Sequence, residues 1–322
     1  MKKGTMAVLF GGALACAGAL TAWLAAPGSS RKEQRAPFQN RYFAHRGLYD
    51  PDAGIPENSL AAFRAAAEHG YGAEMDVRIT RDGVAVISHD ACLERMCASP
   101  LVIEESDYDE IKDLTLAGTG EHIPLFRDAL EILMGAGVPA VVEIKAMGRN
   151  VEGVCSAALE IMDAFDGQMC VESFDPWAVQ WFRRHAPDLL RGQLITQRDD
   201  LKLPPWEAWP GVRGLFNFMG RPQFIAHHVG RRSRSIRLAM AMGAKRVTWT
   251  ARDRSEEFES DSVIVTVSPA KALLKRVLSS VRSIASRGCD TRYFAAGVVG
   301  YSLSDSETSG RSSVILPFVD LT

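Results

Sequence analysis

The chain contains the segments FAHRG at residues 43–47, PENSLAAF at 56–63 and EMDVRITRDGVAVISHD at 74–90. In these segments polar residues stand where apolar runs end. His45 and Arg46 follow the start of an apolar strand, and His89 follows the apolar run VAVI and one serine. Polar side chains presented from the ends of buried elements are typical of active sites. We therefore expect these segments to contribute to a functional site.

The same stretch predicts one helix and two strands. Residues 58–70 predict an amphipathic helix, because apolar residues recur at helical spacing and a glycine ends the pattern. Residues 73–80 alternate as a strand, RDG at 81–83 is a tight-turn signal, and 84–88 predict the next strand.

The rest of the chain alternates between strand and helix patterns. Further strands are predicted at 42–45, 140–144, 169–172, 190–194, 212–216, 224–226, 246–249 and 263–266, and further helices at 125–135, 151–165, 176–185 and 232–242. This α/β alternation implies parallel βα units, and about eight strands fit a closed (β/α)8 TIM barrel. An open doubly wound sheet is the alternative, but neither GxGxxG nor GxxxxGK[ST] follows any predicted strand, which excludes its main nucleotide-binding versions.

Composition distinguishes the barrel from an insertion, a linker and a C-terminal segment. Residues 91–124, rich in acidic residues and glycine, predict a small insertion after the second strand. Residues 27–41 predict a polar linker, and the barrel is expected over 42–268. Residues 269–322 predict a helix followed by a poorly ordered tail.

The N-terminal residues 1–26 predict a membrane anchor. An almost uninterrupted apolar run covers 6–26, and about 20 apolar residues suffice to cross a bilayer as a helix. A cleaved signal segment is the alternative, but the run is long for one and no clean cleavage site follows it. Basic residues flank the run on both sides, so the side of the membrane stays open.

Charge and cysteine content narrow the function classes. The 322 residues carry a net charge of −2, which gives no indication of a nucleic-acid partner. The six cysteines lack metal-site spacing, and we expect free thiols.

Carboxylates at the ends of two predicted strands indicate a metal site. Glu74 and Asp76 are two residues apart on one strand, so their side chains share a face. Glu143 and Lys145 have the same relation on a later strand. Three carboxylates that converge in a barrel mouth suit a hard divalent cation, Mg²⁺ or Ca²⁺.

Two histidines and two positively charged side chains accompany the carboxylates. His45 and His89 each lie near the end of an apolar strand, and a pair flanking carboxylates indicates acid–base catalysis near neutral pH. Arg46 donates in a fork that suits phosphate, and Lys145 adds a second positive charge. A metal with two cations indicates an anionic, phosphoryl-type substrate.

These motifs resemble the glycerophosphodiester phosphodiesterase family. The resemblance rests on AHRG, PENSLAAF, the ExD pair, TRDGVAVISHD and EIK, with SFDPWAV and TWT later in the chain, and it covers about residues 42–268. It implies a barrel with an insertion after the second strand. It also implies the following roles: His45 and His89 as general acid and base, Glu74, Asp76 and Glu143 on the metal, Arg46 and Lys145 on phosphate, Glu57 assisting the metal or orienting Arg46, and Phe174 and Trp249 lining the pocket against glycerol.

The reaction that the resemblance implies is hydrolysis of a glycerophosphodiester to sn-glycerol 3-phosphate and an alcohol. The runner-up is a lysophospholipase D acting on lysophospholipids at the membrane, with an apolar groove supplied by Leu93, Met96, Leu101 and Ile103 of the insertion. A non-catalytic binding protein on a barrel scaffold is the third hypothesis, and it predicts the loss of a histidine or carboxylate that this sequence retains.

Overall fold

A parallel sheet closes on itself around the polar segments of the sequence. The structure is a computed structural model that describes residues 3–146, 150–196, 214–230, 232–251 and 260–265. The strands are β1 (Tyr42–Ala44), β2 (Gly72–Ile79), β3 (Ala85–Ile87), β4 (Ala140–Ile144), β5 (Met169–Ser173), β6 (Leu190–Ile195), β7 (Phe224–His228), β8 (Lys245–Ala251) and β9 (Ser262–Val265). Their order is β1-β9-β8-β7-β6-β5-β4-β2, and β1 also pairs with β2. The eight parallel strands therefore form the predicted closed barrel.

The strand β3 lies outside the barrel. It pairs antiparallel with the end of β2, where Val77 faces Ile87. Gly83 in the connecting turn has a φ of +89°, which glycine adopts without strain. The turn predicted at RDG therefore returns the chain beside β2 and leads it into the insertion.

Barrel closure depends on the last described strand. Val263 of β9 pairs with Tyr42 of β1 on one side and with Thr248 of β8 on the other. The sequence leaves only about a dozen residues between Trp249 and Val263, close to the minimum for a parallel crossover. That short connection is nevertheless compatible with closure.

Helices cover the outside of the barrel. They are α1 (Lys3–Ala25), α2 (Lys32–Arg35), α3 (Leu60–Glu68), α4 (Glu94–Cys97), α5 (Tyr108–Ile111), α6 (Phe126–Gly135), α7 (Val151–Met162), α8 (Pro176–His185), α9 (Asn217–Gly220) and α10 (Arg234–Ala241). Side-chain caps set several of their starts, because Ser59, Asp175 and Ser233 accept hydrogen bonds from free amide groups of the first turn. Pro176 follows its cap at the first helical position, where its missing N–H costs nothing.

Alternation along each strand separates an apolar outer layer from the barrel interior. Met75 and Val77 of β2 are fully buried in the main hydrophobic core, together with residues of the helices α3, α6 and α7. Glu74 and Asp76 point the opposite way, into the barrel. Phe43, Val141, Leu190 and related residues form a separate apolar cluster of the barrel strands.

One predicted strand differs from the structure, and one predicted helix cannot be compared with it. The strand predicted at 212–216 is wrong over residues 214–216, which form a turn, and 212–213 lie outside the described residues. The apolar residues there precede α9 instead. The helix and tail predicted within 269–322 also lie outside the described residues.

The N-terminal segment is helical, but its predicted role as a membrane anchor is not confirmed. Within the described part of the chain, no helix has the length and apolarity needed to cross a membrane. The end of α1 instead contacts the protein: Ala25 is fully buried, and Asn217 and Arg221 donate hydrogen bonds to carbonyl groups of α1 and the residue after it. Trp23 stacks on Phe218 with a ring distance of 5.1 Å.

The insertion forms a small core of its own. Leu93 and Ile103 are almost completely buried with Val86 and Ile111, and Met96 packs against this cluster. Burial of these apolar side chains is the favourable outcome for so small a unit. The prediction that they provide an open lipid groove beside the barrel mouth is therefore not supported.

The geometry of the HRG turn can be tested at Gly47. Its φ is +78°, and an added Cβ would lie 2.7 Å from Ala62 Cβ and 2.8 Å from its carbonyl carbon. We expect Gly47→Ala to lower the free energy of unfolding by about 2–5 kcal/mol, from backbone strain and overpacking together. Gly54→Ala is the matched control, because φ is +73° there but the space is open; it should cost only about 1–2 kcal/mol. Urea denaturation measures both, and equal losses would show that packing against Ala62 is unimportant.

Candidate active site

A cavity of about 320 Å³ opens at the carboxyl ends of the barrel strands. Its lining consists of His45, Arg46, Glu74, His89, Glu143, Lys145, Glu172, Phe174, Leu194, Thr196, Trp249 and Ile264. All but two of the residues predicted from the sequence to act at the site line this cavity, and those two, Asp76 and Glu57, contact Arg46.

Three carboxylates form the centre of the site. Oxygen atoms of Glu74, Asp76 and Glu143 all lie within 4.8 Å of one another. Asp76 pairs in register with Glu143 across β2 and β4, which brings the two side chains to the same level of the barrel. Each is at most 6% exposed, so three acidic groups share a small buried volume.

Lys145 offsets much of this negative charge. Its Nζ atom lies 2.8 Å from Asp76 Oδ1 and 2.5 Å from Glu143 Oε1. Burial opposes ionisation of Asp76, but Lys145 and Arg46 outweigh it and lower the pKa of Asp76. Burial raises the pKa of Glu143 to about 7 despite the neighbouring ammonium group, and burial with the charges of Asp76 and Glu143 raises that of Glu74.

The carboxylate cluster fits a divalent cation. Glu74 Oε1 is buried and has no hydrogen-bond partner among the described residues. A buried carboxylate oxygen without a partner is costly unless a cation or donor satisfies it. Three carboxylates with their oxygens this close match the hard oxygen ligands that Mg²⁺ and Ca²⁺ take. Glu74, Asp76 and Glu143 are therefore the residues suited to hold the ion.

Arg46 is fixed at the edge of this cluster by its backbone and side chain. Its amide N–H donates to Glu74 Oε2 at 2.9 Å, and its left-handed φ of +57° turns the chain back toward the site. The guanidinium contacts Glu57 Oε1 at 2.8 Å and Asp76 Oδ2 at 3.4 Å. Of the two roles predicted for Glu57, this geometry matches the orientation of Arg46.

The two histidines have different surroundings. Burial, with the nearby charge of Arg46, lowers the pKa of His45 to about 3, so this imidazole is neutral near pH 7. Burial and Lys145 also lower the pKa of His89. However, His89 Nδ1 lies 2.7 Å from Asp90 Oδ1, and that carboxylate favours the protonated ring.

The two predicted aromatic residues meet at the rim of the cavity. Phe174 and Trp249 contact edge to face, with ring centroids 5.6 Å apart. The Trp249 indole N–H donates to the carbonyl oxygen of Ala226 at 3.1 Å, which fixes the ring. Phe174 is 41% exposed, so its face is open to a ligand entering the cavity.

Sequence reasoning missed several residues that complete the site. Asn58 Nδ2 donates to Asp76 Oδ2 at 2.7 Å, and the PEN motif already contained this residue. Asp90 orients His89, and the HD dipeptide was its signal. Arg95 and Glu172 had no comparable signal, because one lies in the insertion and the other is a lone carboxyl on β5.

Comparison with known proteins identifies the family of the chain. The model of the glycerophosphoryl diester phosphodiesterase family matches residues 45–274, which is more than half of the chain. The chain belongs to this family. The resemblance seen in the sequence motifs is therefore confirmed, and so is the enzyme class that it predicts, a phosphoric diester hydrolase.

Named relatives carry the same family designation. A glycerophosphodiester phosphodiesterase of Caldanaerobacter subterraneus is 29% identical over 161 residues, covering 47% of this chain and 65% of that protein. A probable glycerophosphodiester phosphodiesterase 2 of Mycobacterium tuberculosis is 40% identical over 91 residues, covering 28% of this chain and 33% of that protein. The matches thus span from a third to about two thirds of these relatives' lengths.

Solved structures share the fold. An Oleispira antarctica phosphodiesterase in complex with the product sn-glycerol-3-phosphate has a TM-score of 0.60 at 22% identity, covering 73% of this chain and 97% of that one. A glycerophosphoryl diester phosphodiesterase described as putative, from Agrobacterium tumefaciens, has a TM-score of 0.61 at 17% identity, covering 75% and 99%. Both support the barrel architecture of the family.

The cation site can be tested without turnover. Adding Mg²⁺ or Ca²⁺ at a hundredfold excess over the dissociation constant should raise the melting temperature by about 5–10 °C, because the ion binds only the folded chain. Glu74→Gln should abolish this shift, as measured by differential scanning calorimetry. Glu172→Gln is the control: it changes a buried carboxyl in register with Glu143 but outside the triad, and it should keep the shift. Loss of the shift in the control alone would contradict the assigned ligand set.

Proposed function

We propose that the chain hydrolyses glycerophosphodiesters to sn-glycerol 3-phosphate and an alcohol, with a divalent cation and two catalytic histidines. The observation that carries this proposal is that the carboxylate triad, two histidines and two positively charged side chains meet at one cavity. The Oleispira relative, whose structure holds sn-glycerol-3-phosphate, supports a small phosphodiester as substrate.

Arg46 and Lys145 bind the phosphate in this proposal. Both side chains line the cavity, and both remain protonated: opposing carboxylates raise the pKa of each although burial alone would lower it. The guanidinium fork fits two phosphate oxygens, while the ammonium acts as a point charge. Glu57 keeps the guanidinium in place.

Glu74, Asp76 and Glu143 would hold the divalent cation, which would supply stabilisation of negative charge on the phosphoryl group. The rim aromatics Phe174 and Trp249 offer an apolar surface to the carbon atoms of glycerol.

The histidines divide the proton transfers. His45, neutral near pH 7, takes the proton from the glycerol hydroxyl next to the phosphoester as its oxygen attacks phosphorus. His89, whose imidazolium Asp90 stabilises, gives a proton to the leaving alkoxide as its bond to phosphorus breaks. Water then opens the cyclic phosphate, and the proton transfers run in reverse.

The lysophospholipase D hypothesis gains no support from the insertion, because Leu93 and Ile103 are buried and the half-buried Met96 and Leu101 pack against the same cluster. The non-catalytic hypothesis requires a depleted site, whereas every predicted site residue is present and placed at or against the cavity. The membrane anchoring predicted for the N-terminal segment stays a prediction.

An activity panel tests the function. The full-length chain should release glycerol 3-phosphate from glycerophosphocholine, and EDTA should stop the release. Lysophosphatidylcholine should be turned over far more slowly. Absence of chelator-sensitive choline release from both substrates would contradict the proposal, and a preference for the lysolipid would establish the alternative.

The histidine roles make a separate prediction. His45→Ala and His89→Ala should each lower kcat on glycerophosphocholine by about 10²–10⁴-fold. With a p-nitrophenyl ester of glycerol phosphate, the His89→Ala loss should shrink, because p-nitrophenolate leaves without a proton. The His45→Ala loss should persist. The reverse pattern, read from the single-turnover rate of p-nitrophenolate release, would exchange the two roles.

A further inference from the structure

Arg95 connects two parts of the site that are distant in sequence. It lies on α4 of the insertion, and its guanidinium contacts two carboxylates. Nη2 lies 2.7 Å from Glu57 Oε1, and Nε lies 2.5 Å from Asp90 Oδ2.

Each of these carboxylates holds a residue of the reaction. Glu57 Oε1 also accepts from Arg46 Nη1 at 2.8 Å. Asp90 uses its other oxygen, Oδ1, for His89 Nδ1 at 2.7 Å. The contacts therefore form one chain from His89 through Asp90, Arg95 and Glu57 to Arg46.

We propose that Arg95 is a positioning residue. It sets the orientation of His89 through Asp90, and through Glu57 it fixes the position of the phosphate-binding Arg46. This inference rests on the proposed function, since it assigns Arg95 a part in that reaction. It gives the insertion a part in orienting the catalytic groups.

Burial alone does not fix the His89 ring. The side chains of His89 and Asp90 are 35% and 29% exposed, so packing leaves room for other rotamers. Arg78 donates to the His89 carbonyl oxygen at 2.7 Å, which fixes the backbone but not the imidazole. The Asp90 carboxylate determines which ring nitrogen faces the cavity, and the rigid guanidinium fork of Arg95 determines where that carboxylate lies.

The competing explanation is that Arg95 only ties the insertion together. Arg81 provides that comparison. It contacts Asp107 and Glu110 of the insertion at 2.8 and 3.0 Å, and its side chain is 53% exposed against 49% for Arg95. Its contacts do not reach a residue of the cavity lining. Arg81→Gln thus also removes two ion pairs from a half-exposed arginine, although their carboxylates are more exposed than Glu57 and Asp90, and it serves as the control.

Kinetics of variants test the proposal. Arg95→Gln should lower kcat on glycerophosphocholine by about tenfold to a hundredfold, since a misplaced catalytic group costs on this order. Arg95→Lys should lose less, because it keeps the charge but not the fork. Arg81→Gln should keep the kcat of the native chain.

A double-mutant cycle separates positioning from general stability. Asp90→Asn and Arg95→Gln should combine to much less than the product of their separate effects on kcat, because both act through one contact chain. Arg81→Gln combined with Asp90→Asn should be multiplicative. Multiplicative behaviour of the first pair would overturn the proposal.

The pH profile gives a readout that loss of stability does not move. The charged groups that face His89 are Lys145 and Arg46, which lower its pKa, and Asp76 and Asp90, which raise it. Without the Arg95 charge, the Asp90 carboxylate acts more strongly on the ring, so the pKa of His89 rises. The limb of the kcat profile that follows His89 should therefore move to higher pH in Arg95→Gln and stay in place in Arg81→Gln.

Nitrogen-15 spectra of the histidine rings give the same answer without turnover. The tautomer and titration midpoint of His89 should change in Arg95→Gln and not in Arg81→Gln. An unchanged midpoint and unchanged kcat in Arg95→Gln would refute the positioning role. An inactive native chain in which the midpoint still moves would count against the proposed function while leaving the contact chain intact.

Discussion

The structure depends on the contact between Lys145 and the carboxylates of Asp76 and Glu143. Four acidic side chains, Glu74, Asp76, Glu143 and Glu172, lie almost completely buried inside the barrel. Burying several like charges together is strongly unfavourable, and removing the partner of a buried charge typically costs about 3–5 kcal/mol. Lys145, with Arg46 on the other side of Asp76, reduces this repulsion in the free protein.

The barrel can accommodate these buried acidic groups because its apolar layers provide the stability. The apolar faces of the strands pack against the surrounding helices, and a second apolar cluster joins the barrel strands below the polar layer. The buried carboxyl groups thus lie at or against one open cavity, where they can take part in a reaction. Glu172 is the one of these four buried carboxyl groups that lies outside the triad. Burial and the nearby charge of Glu143 raise its pKa, so it avoids adding a further charge.

The contacts of the insertion that follows β3 show which of its residues stabilise it and which reach the site. Its apolar residues serve its own stability, whereas its polar residue Arg95 reaches the site. Arg78 at the base of the insertion contacts Glu104 at 2.5 Å and also holds the His89 backbone. The segment that carries His89 is therefore fixed from both sides by charges belonging to, or paired with, the insertion.

The sequence alone determined the fold class and most residues of the candidate site, because these depend on local patterns. Alternation places Glu74 and Asp76 on one face, and the bounds of β4 and α8 were predicted to the residue. The family and its enzyme class followed from motifs of the same local kind. Only the tertiary structure decided how the charges of these groups offset one another. Strand register sets Asp76 beside Glu143, and Lys145 reaches between them. The contact between Arg95 and Glu57 joins residues 38 positions apart. The tertiary structure also decided that the insertion buries its apolar residues. Such pairings arise from strand register and from long-range packing, which no local periodicity records.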